Sequence, residues 1–225
     1  ISKKTADAVR AARKDLLKAQ EDYLKLAETG VRMFLYDSDE YPERLREIKS
    51  PPFALFIKGD LPCEDTASAA IVGSRACTPY GYAEAARFSE ELAGAGVQII
   101  SGMAKGIDAM ATEGCLSAGQ LAVGVLGCGL DVVYPKVNRS LFRDMEERGC
   151  LMSEYPPGTP PVGSHFPVRN RIISGLSLGV LVVEAPVRSG SLITASLANE
   201  QGRDVFAIPG TIDTAAFTGS NGLIQ

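Results

Sequence analysis

The stretch AAIVGSRACTPYG, residues 69–81, constrains the fold more than any other part of the sequence. Its first four residues are apolar and end at a glycine, which predicts a short parallel strand buried on both faces. Thr78 is a typical helix N-cap, and Pro79 suits the first helical position because the N–H it lacks has no helical partner there. Ser74 and Arg75 lie between strand and helix. A hydroxyl and a cation at a helix N-terminus predict an anion site, most often for phosphate.

From residue 69 onward, short apolar runs alternate with glycine-containing turns and amphipathic segments. This alternation predicts a doubly wound, mostly parallel α/β sheet. The predicted strands cover residues 69–72, 97–100, 121–126, 150–153, 179–183 and 204–207, and the predicted helices cover residues 80–95, 106–118, 138–147, 169–176 and 191–201. Two further strands, residues 31–36 and 53–57, are expected to extend the sheet, with a short helix at 42–49. Right-handed crossovers then place every strand-to-helix turn at one sheet edge, where ligands bind.

Residues 2–28 differ from the rest because they contain no glycine or proline. Apolar positions recur there at spacings of three and four, which predicts one long helix with an apolar stripe. That stripe is expected to pack on the main body or on a missing neighbour. The basic residues on the other faces of this helix are interpreted as a solvated surface rather than a nucleic-acid contact.

Composition excludes several classes of protein. The chain has 225 residues, a net charge of −4 and no apolar run near the ~20 residues of a membrane span. Five cysteines without a C-x-x-C pair predict free thiols in a cytosolic protein, and a single histidine argues against a zinc site. The acidic balance argues mildly against a nonspecific nucleic-acid coat but leaves room for a local basic cleft.

The turns expected at the sheet edge carry most of the candidate cations. Arg75, Lys105 and Arg188 each follow a predicted strand, and Arg169 and Arg171 lie at the start of another predicted helix. The glycines and serines around them let a ligand approach the backbone closely. The combination predicts a cationic rim on an acidic protein, and therefore an anion-binding cleft.

Motifs of common nucleotide enzymes are missing from the sequence. There is no G-x-G-x-x-G after the first strand of the pattern, no P-loop, and no G-x-S-x-G elbow near His165. Glu184 follows a strand, and it is interpreted as a helix cap or an arginine partner in preference to a general base. Asp108 lies in the first turn of a helix, where a carboxylate favours the helix dipole.

Several short motifs occur in order between residues 33 and 225. They are DEYPERL (39–45), PP (51–52), KGD (58–60), VGSR (72–75), SGMAKGID (101–108), GCGLD (127–131), SEYPPG (153–158), FPVRNRIISGLS (166–177), SGSLITA (189–195) and IPG (208–210). This set, with its order and spacing, resembles the DNA-processing protein A (DprA/Smf) family over nearly the whole chain.

The resemblance implies an extended Rossmann-like fold that binds single-stranded DNA. It implies a cytoplasmic homodimer that protects incoming DNA in natural transformation and loads the RecA recombinase onto it, without enzymatic activity, a metal or a cofactor. Carried over by motif, the DNA-binding residues would be Ser74, Arg75, Lys105, Asn170, Arg171, Ser189, Gly190 and Thr194.

The sequence also departs from the family pattern. Members often have a histidine shortly after Gly-Ile-Asp, where this chain has Met110-Ala111-Thr112. The family usually carries an N-terminal helical domain, so residues 1–28 are expected to be the remnant of one and residues 29–225 the Rossmann-like domain, with its core at 67–225. A winged-helix domain, which some members have, would begin beyond the last residue.

Two other functions compete with DNA binding as interpretations of the sequence. The first is a nucleotide-binding enzyme or sensor related to the lysine-decarboxylase-like phosphoribohydrolases. Those enzymes carry Pro-Gly-Gly-x-Gly-Thr-x-x-Glu on the corresponding turn, whereas here Glu184 precedes the turn and the glycine pair is missing. The second is an architectural domain that binds a protein partner, with the basic rim incidental.

Overall fold

The structure is a computed structural model that describes residues 2–12, 15–63 and 65–224. The chain divides into two compact units, Ile1–Arg32 and Met33–Gln225, and each is described by itself. No helix among the described residues is both long enough and apolar enough to cross a membrane.

The first unit contains two helices, α1 (Lys3–Ala12) and α2 (Leu16–Glu28). The prediction of one helix over residues 2–28 is therefore wrong. Asp15, just before α2, has φ −107° and ψ 26°, which lies outside the helical range. Residues 13 and 14 of the predicted helix lie outside the described residues. The origin of this segment as the remnant of a helical domain stays a prediction.

The second unit is built on a mostly parallel sheet with helices on its faces. Among the described residues its strands are β1 (Arg32–Leu35), β2 (Ala54–Gly59), β3 (Ser68–Val72), β4 (Gln98–Ser101), β5 (Ala122–Leu126), β6 (Cys150–Ser153), β7 (Gly179–Val182) and β8 (Asp204–Ala207). They are arranged in the order β1-β2-β6-β5-β4-β3-β7-β8. The strands from β6 to β8 in this order run parallel, and β2 runs antiparallel to β6. The predicted α/β fold class is confirmed.

Helices connect the parallel strands as expected. They are α4 (Pro79–Gly94), α5 (Ile107–Ser117), α6 (Arg139–Arg148), α7 (His165–Leu176) and α8 (Gly190–Glu200), while α3 (Glu43–Arg46) lies between β1 and β2 and the short α9 (Thr218–Asn221) follows β8. Helix α7 begins earlier than predicted and contains Pro167 in its first turn. Proline is tolerated there because the N–H groups of the first turn have no helical acceptor.

The central strands of the sheet are buried on both faces, which explains their continuous apolar runs. Every residue of β5, β6 and β7 is buried. The chain passes from β3 to β4 on one side, whereas β7 pairs with β3 on the other. The carboxyl ends of β3 and β7 therefore flank the point where the strand order reverses, and crevices for ligands form at such points.

Candidate nucleic-acid interface

A cleft of about 540 Å³ opens at the carboxyl ends of β3 and β7. Its walls come from the turn after β3, the turn after β4, the start of α7 and the start of α8. The residues that line it are Val72, Gly73, Ser74, Arg75, Ala76, Ala104, Asp108, Tyr134, Pro161, Gly163, Phe166, Pro167, Arg169, Asn170, Ile173, Ser189, Gly190, Ser191 and Thr194. This is the edge at which the sequence predicts an anion site.

The turn after β3 is fixed by backbone hydrogen bonds on both sides. The Ser74 N–H donates to the Glu184 carbonyl at 2.8 Å, and the Ile107 N–H donates to the Ser74 carbonyl at 3.2 Å. Arg75 projects from this turn with its guanidinium 5.4 Å from the centre of the Phe166 ring. The cation is therefore exposed at the cleft mouth but is supported by an aromatic face.

The turn after β4 places Lys105 beside the cleft. Met103 adopts φ 57°, in the left-handed region, and the Asn138 side chain donates to the Met103 and Ala104 carbonyls at 3.1 Å each. Lys105 lines a neighbouring pocket of about 50 Å³, and Arg75 lines both this pocket and the cleft. The two exposed cations thus flank a common opening.

The start of α8 forms the opposite wall. Ser189 is the N-cap, and its hydroxyl accepts from the Ser191 N–H at 3.3 Å. The Asn170 side chain donates to the Gly190 carbonyl at 3.2 Å, which ties α7 to this turn. Thr194 is buried one turn into the helix and also lines the cleft. The first turn of α8 contains no acidic residue, so the positive end of the helix dipole faces the cleft uncompensated.

Two buried side chains of opposite charge, Arg169 and Asp108, form the floor of the cleft. Arg169 is 3% exposed, donates from Nη1 to the Val125 carbonyl at 2.9 Å, and has no partner for its buried Nε among the described residues. Burial lowers the pKa of Arg169 to about 10, an effect that Asp108 opposes. Burial raises the pKa of Asp108, and the Arg169 charge opposes that shift. A side chain at Gly102 would overlap Arg169 Nη1 and approach Asp108 Oδ2, so glycine there lets both groups reach the floor.

An aromatic stack lines both the cleft and the smaller pocket. The Phe166 and Tyr134 rings stack with centres 5.4 Å apart and planes at 27°. Next to them, the Tyr155 and His165 rings stack at 4.1 Å, and His165 Nδ1 lies 3.1 Å from the Gly127 carbonyl. His165 is therefore held in a structural contact at the start of α7.

Glu184 binds Thr78, the N-cap residue of α4, which agrees with its interpretation as a helix-capping group. Its carboxylate is fully buried and accepts hydrogen bonds from the Thr78 N–H at 2.9 Å and the Thr78 hydroxyl at 2.7 Å. Thr78 Oγ1 in turn accepts from the Gly81 N–H at 3.1 Å. The carboxylate is thus engaged in closing a helix start and does not reach the cleft lining.

Arg171 is not among the residues that line the cleft, although the family resemblance places it among the DNA-binding residues. It forms two hydrogen bonds with Glu154, at 2.8 and 2.6 Å, and donates to the Ser50 carbonyl at 2.8 Å. Its charge is therefore already neutralised inside the protein. In contrast, Arg75, Lys105 and Arg188 form no ion pair with a described carboxylate.

The structure brings most of the predicted site residues together. Six of them line the cleft, namely Ser74, Arg75, Asn170, Ser189, Gly190 and Thr194, while Lys105 lines the adjoining pocket. Arg169, Phe166 and Tyr134 also line the cleft but are not among the predicted DNA-binding residues. The sequence indicates Arg169 as a rim cation, but its buried position follows only from the fold. The DNA-binding role of these residues stays a prediction.

No cluster of three or more histidine, cysteine, aspartate or glutamate side chains suited to a metal ion occurs in the part of the chain that the structure describes. The five cysteines are all free thiols.

Comparison with known proteins gives consistent matches. The model of the DNA recombination-mediator protein A family matches residues 32–225. Protein Smf of Escherichia coli K12 is 46% identical over 190 residues, which cover 84% of this chain and 51% of that protein. DNA processing protein DprA of Streptococcus pneumoniae R6 is 47% identical over 187 residues, or 83% of this chain and 66% of that protein. The chain thus spans about half to two thirds of the length of these relatives.

Solved structures agree with the sequence matches. DNA processing protein A from Streptococcus pneumoniae superposes with a TM-score of 0.87 at 43% identity, covering 94% of this chain and 72% of that one. DNA processing protein A from Helicobacter pylori, whose structure was described for its single-stranded DNA binding mode, gives a TM-score of 0.78 at 30% identity, covering 86% of both chains. This chain therefore belongs to the DNA recombination-mediator protein A family.

Proposed function

We propose that the cleft binds the sugar–phosphate backbone of single-stranded DNA. The observation that carries this proposal is the arrangement of Arg75 and Lys105, two exposed cations without ion pairs to described carboxylates, opposite the N-terminus of α8, which has no acidic residue in its first turn. Both cations and the helix dipole favour an anion at the same opening. A chain of phosphates fits this better than a single anion because Arg75 lines both the cleft and the adjoining pocket, whereas Lys105 lines only the pocket.

The geometry supports binding with little sequence preference. Guanidinium, ammonium, hydroxyl and backbone N–H groups contact phosphate and sugar, which carry no sequence information. The hydroxyls of Ser74 and Ser189 and the amide of Asn170 are placed to complete such contacts. The net charge of −4 indicates that attraction is confined to the cleft rather than spread over the surface.

The relatives support the same function. The Helicobacter pylori protein, 30% identical over 86% of both chains, was described for its single-stranded DNA binding mode. By analogy, the whole protein would be a cytoplasmic, non-enzymatic homodimer that protects incoming DNA in natural transformation and loads the RecA recombinase onto it. When both subunits of such a homodimer bind the same strand, the first cleft holds the strand close to the second, and this high effective concentration would strengthen binding.

A titration of labelled oligo-dT tests this proposal. Arg75→Ala is expected to weaken binding about 10- to 150-fold, the range for loss of a charge-assisted hydrogen bond. The slope of log K against log salt is expected to flatten by about 0.7 for each phosphate that the variant no longer neutralises, in Arg75→Ala and Lys105→Ala alike. Anisotropy measured over a series of salt concentrations gives both quantities.

Arg87→Ala is the matched control. It removes the same charge from an exposed arginine that pairs with Glu84 and Glu91 on α4. It should leave both affinity and salt slope near those of the wild type. Equal affinities for wild type, Arg75→Ala and Lys105→Ala would contradict the proposal, as would an equal loss in Arg87→Ala.

A further inference from the structure

Tyr134 lies at the cleft but has no part in the phosphate contacts described above. Its ring stacks on Phe166, yet the residue remains 38% exposed. It lines both the cleft and the pocket that contains Lys105. An exposed aromatic ring between two cationic openings is a surface on which an unpaired base can stack.

We propose that Tyr134 stacks on one base of the bound strand, next to the phosphates held by Arg75 and Lys105. This inference rests on the proposed function, because it requires a strand in the cleft. It adds a contact to the base where the proposed function has contacts only to phosphate and sugar.

The ring is held in place before any ligand arrives. Asn138, four residues beyond Tyr134, donates to the Met103 and Ala104 carbonyls and so ties this segment to the Lys105 turn. On the other side, Phe166 occupies space left by Gly127, where an added Cβ would lie 2.8 Å from the Phe166 ring. Little ordering of the ring is therefore needed on binding, which favours affinity.

The stack also links the base contact to the phosphate contact. Arg75 lies over the Phe166 ring at 5.4 Å, and Phe166 stacks on Tyr134 at 5.4 Å. A strand that places a phosphate on Arg75 therefore has the Tyr134 ring within the same small region. Stacking tolerates all bases because each has a π-face, so the expected sequence preference remains slight.

Affinity measurements with two oligomers of equal length separate stacking from charge. One is oligo-dT, and the other has the same phosphates but abasic tetrahydrofuran sugars. Tyr134→Ala is expected to weaken oligo-dT binding by about 5- to 150-fold, the range for removing one base–aromatic stack, and to leave abasic binding unchanged. Tyr134→Phe, which keeps the ring, should stay within about twofold of wild type on both oligomers.

Tyr82→Ala serves as the control, because Tyr82 is 51% exposed on α4 and lines neither pocket. It should bind both oligomers like the wild type. Equal affinity of Tyr134→Ala and wild type for oligo-dT would overturn the inference, as would equal losses on the two oligomers. If wild type itself binds neither oligomer, the proposed function fails, and the inference fails with it.

A spectroscopic measurement checks the stacking directly. The chain contains no tryptophan, so Tyr134→Trp introduces a single indole. Saturating oligo-dT should quench its emission, whereas saturating abasic oligomer should not. Tyr82→Trp should respond to neither. An unquenched Tyr134→Trp signal with oligo-dT bound would overturn the inference even if Tyr134→Ala lowers affinity.

Discussion

The helices α4 and α5 begin differently from α8, although all three begin at the same edge of the sheet. A buried carboxylate of the protein itself accompanies each of the first two: Glu184 at the start of α4 and Asp108 in the first turn of α5. The start of α8 has a serine cap and no acidic residue in its first turn. The positive ends of two helices are therefore satisfied internally, and that of the third faces the cleft.

The arginines show the same division. Arg171 is neutralised by Glu154, whereas Arg75 projects into the cleft without an ion pair to a described carboxylate. Charge at this edge is thus either compensated within the fold or left for a ligand. The comparison predicts that changes to compensated groups reduce stability, while changes to uncompensated groups reduce DNA affinity.

The largest effect on stability is expected from Arg169→Met. Methionine preserves much of the side-chain volume but leaves the Asp108 carboxylate buried beside the α5 start without its cation. Loss of one partner of a direct buried ion pair costs about 3–5 kcal/mol, and Arg169 acts on Asp108 through its charge without a direct ion pair, so we expect a loss of about 3 kcal/mol in the free energy of unfolding. Urea denaturation at neutral pH measures this loss.

The loss should also depend on pH. Burial raises the pKa of the Asp108 carboxyl in the folded protein. The protonated carboxyl therefore stabilises the folded state at low pH, and this stabilisation is lost as the pH rises through the raised pKa. Without Arg169 the pKa rises further, so the deficit of Arg169→Met should be smaller at pH 5 than at pH 8. The double variant Arg169→Met/Asp108→Asn should lose this dependence. A pH-independent deficit in the single variant would show that Asp108 does not respond to Arg169.

Most of this fold can be predicted from the sequence because the patterns that indicate its strands and helices are local. Apolar runs between glycine turns indicate the strands, and the alternation with helices indicates that their carboxyl ends meet at one edge. Motif resemblance then selects Ser74, Arg75 and the start of α8, which do line the cleft.

The parts that the sequence does not predict depend on tertiary packing. Arg169 and Arg171 lie two residues apart in one motif. Each helical position is rotated by about 100° from the one before, so these two side chains are about 200° apart and point in nearly opposite directions. One reaches the cleft floor, and the other reaches Glu154. The stack of Tyr134 on Phe166 joins residues 32 positions apart, and no local pattern specifies it. In the first unit, an uninterrupted periodic pattern did not reveal the break before α2.

A smaller loss of stability is expected from Glu184→Gln. The carboxylate accepts hydrogen bonds from the Thr78 N–H and hydroxyl, and glutamine replaces a charged acceptor with a neutral group that also carries an N–H donor. Hydrogen bonds to charged groups contribute about 1.5–3 kcal/mol, so we expect a loss of about 2 kcal/mol in urea denaturation. Oligo-dT affinity of the folded protein should change by less than about twofold. Tighter binding by Glu184→Gln would break the comparison, since it would show that the carboxylate competes with DNA.

The smallest effects are expected at Ser189, where one side chain serves both stability and the cleft. Ser189→Ala should lower the free energy of unfolding by about 1 kcal/mol because the α8 cap is lost, whereas Ser189→Gly should lower it by only roughly a few tenths of a kcal/mol. Both variants lose the hydroxyl that faces the cleft, so both should bind oligo-dT about 2- to 12-fold more weakly, the range for one neutral hydrogen bond. Measured side by side, the two variants should differ in stability and agree in affinity. Wild-type affinity in both would show that the α8 start is capped but does not contact the strand, and the contrast with α4 and α5 would then concern stability alone.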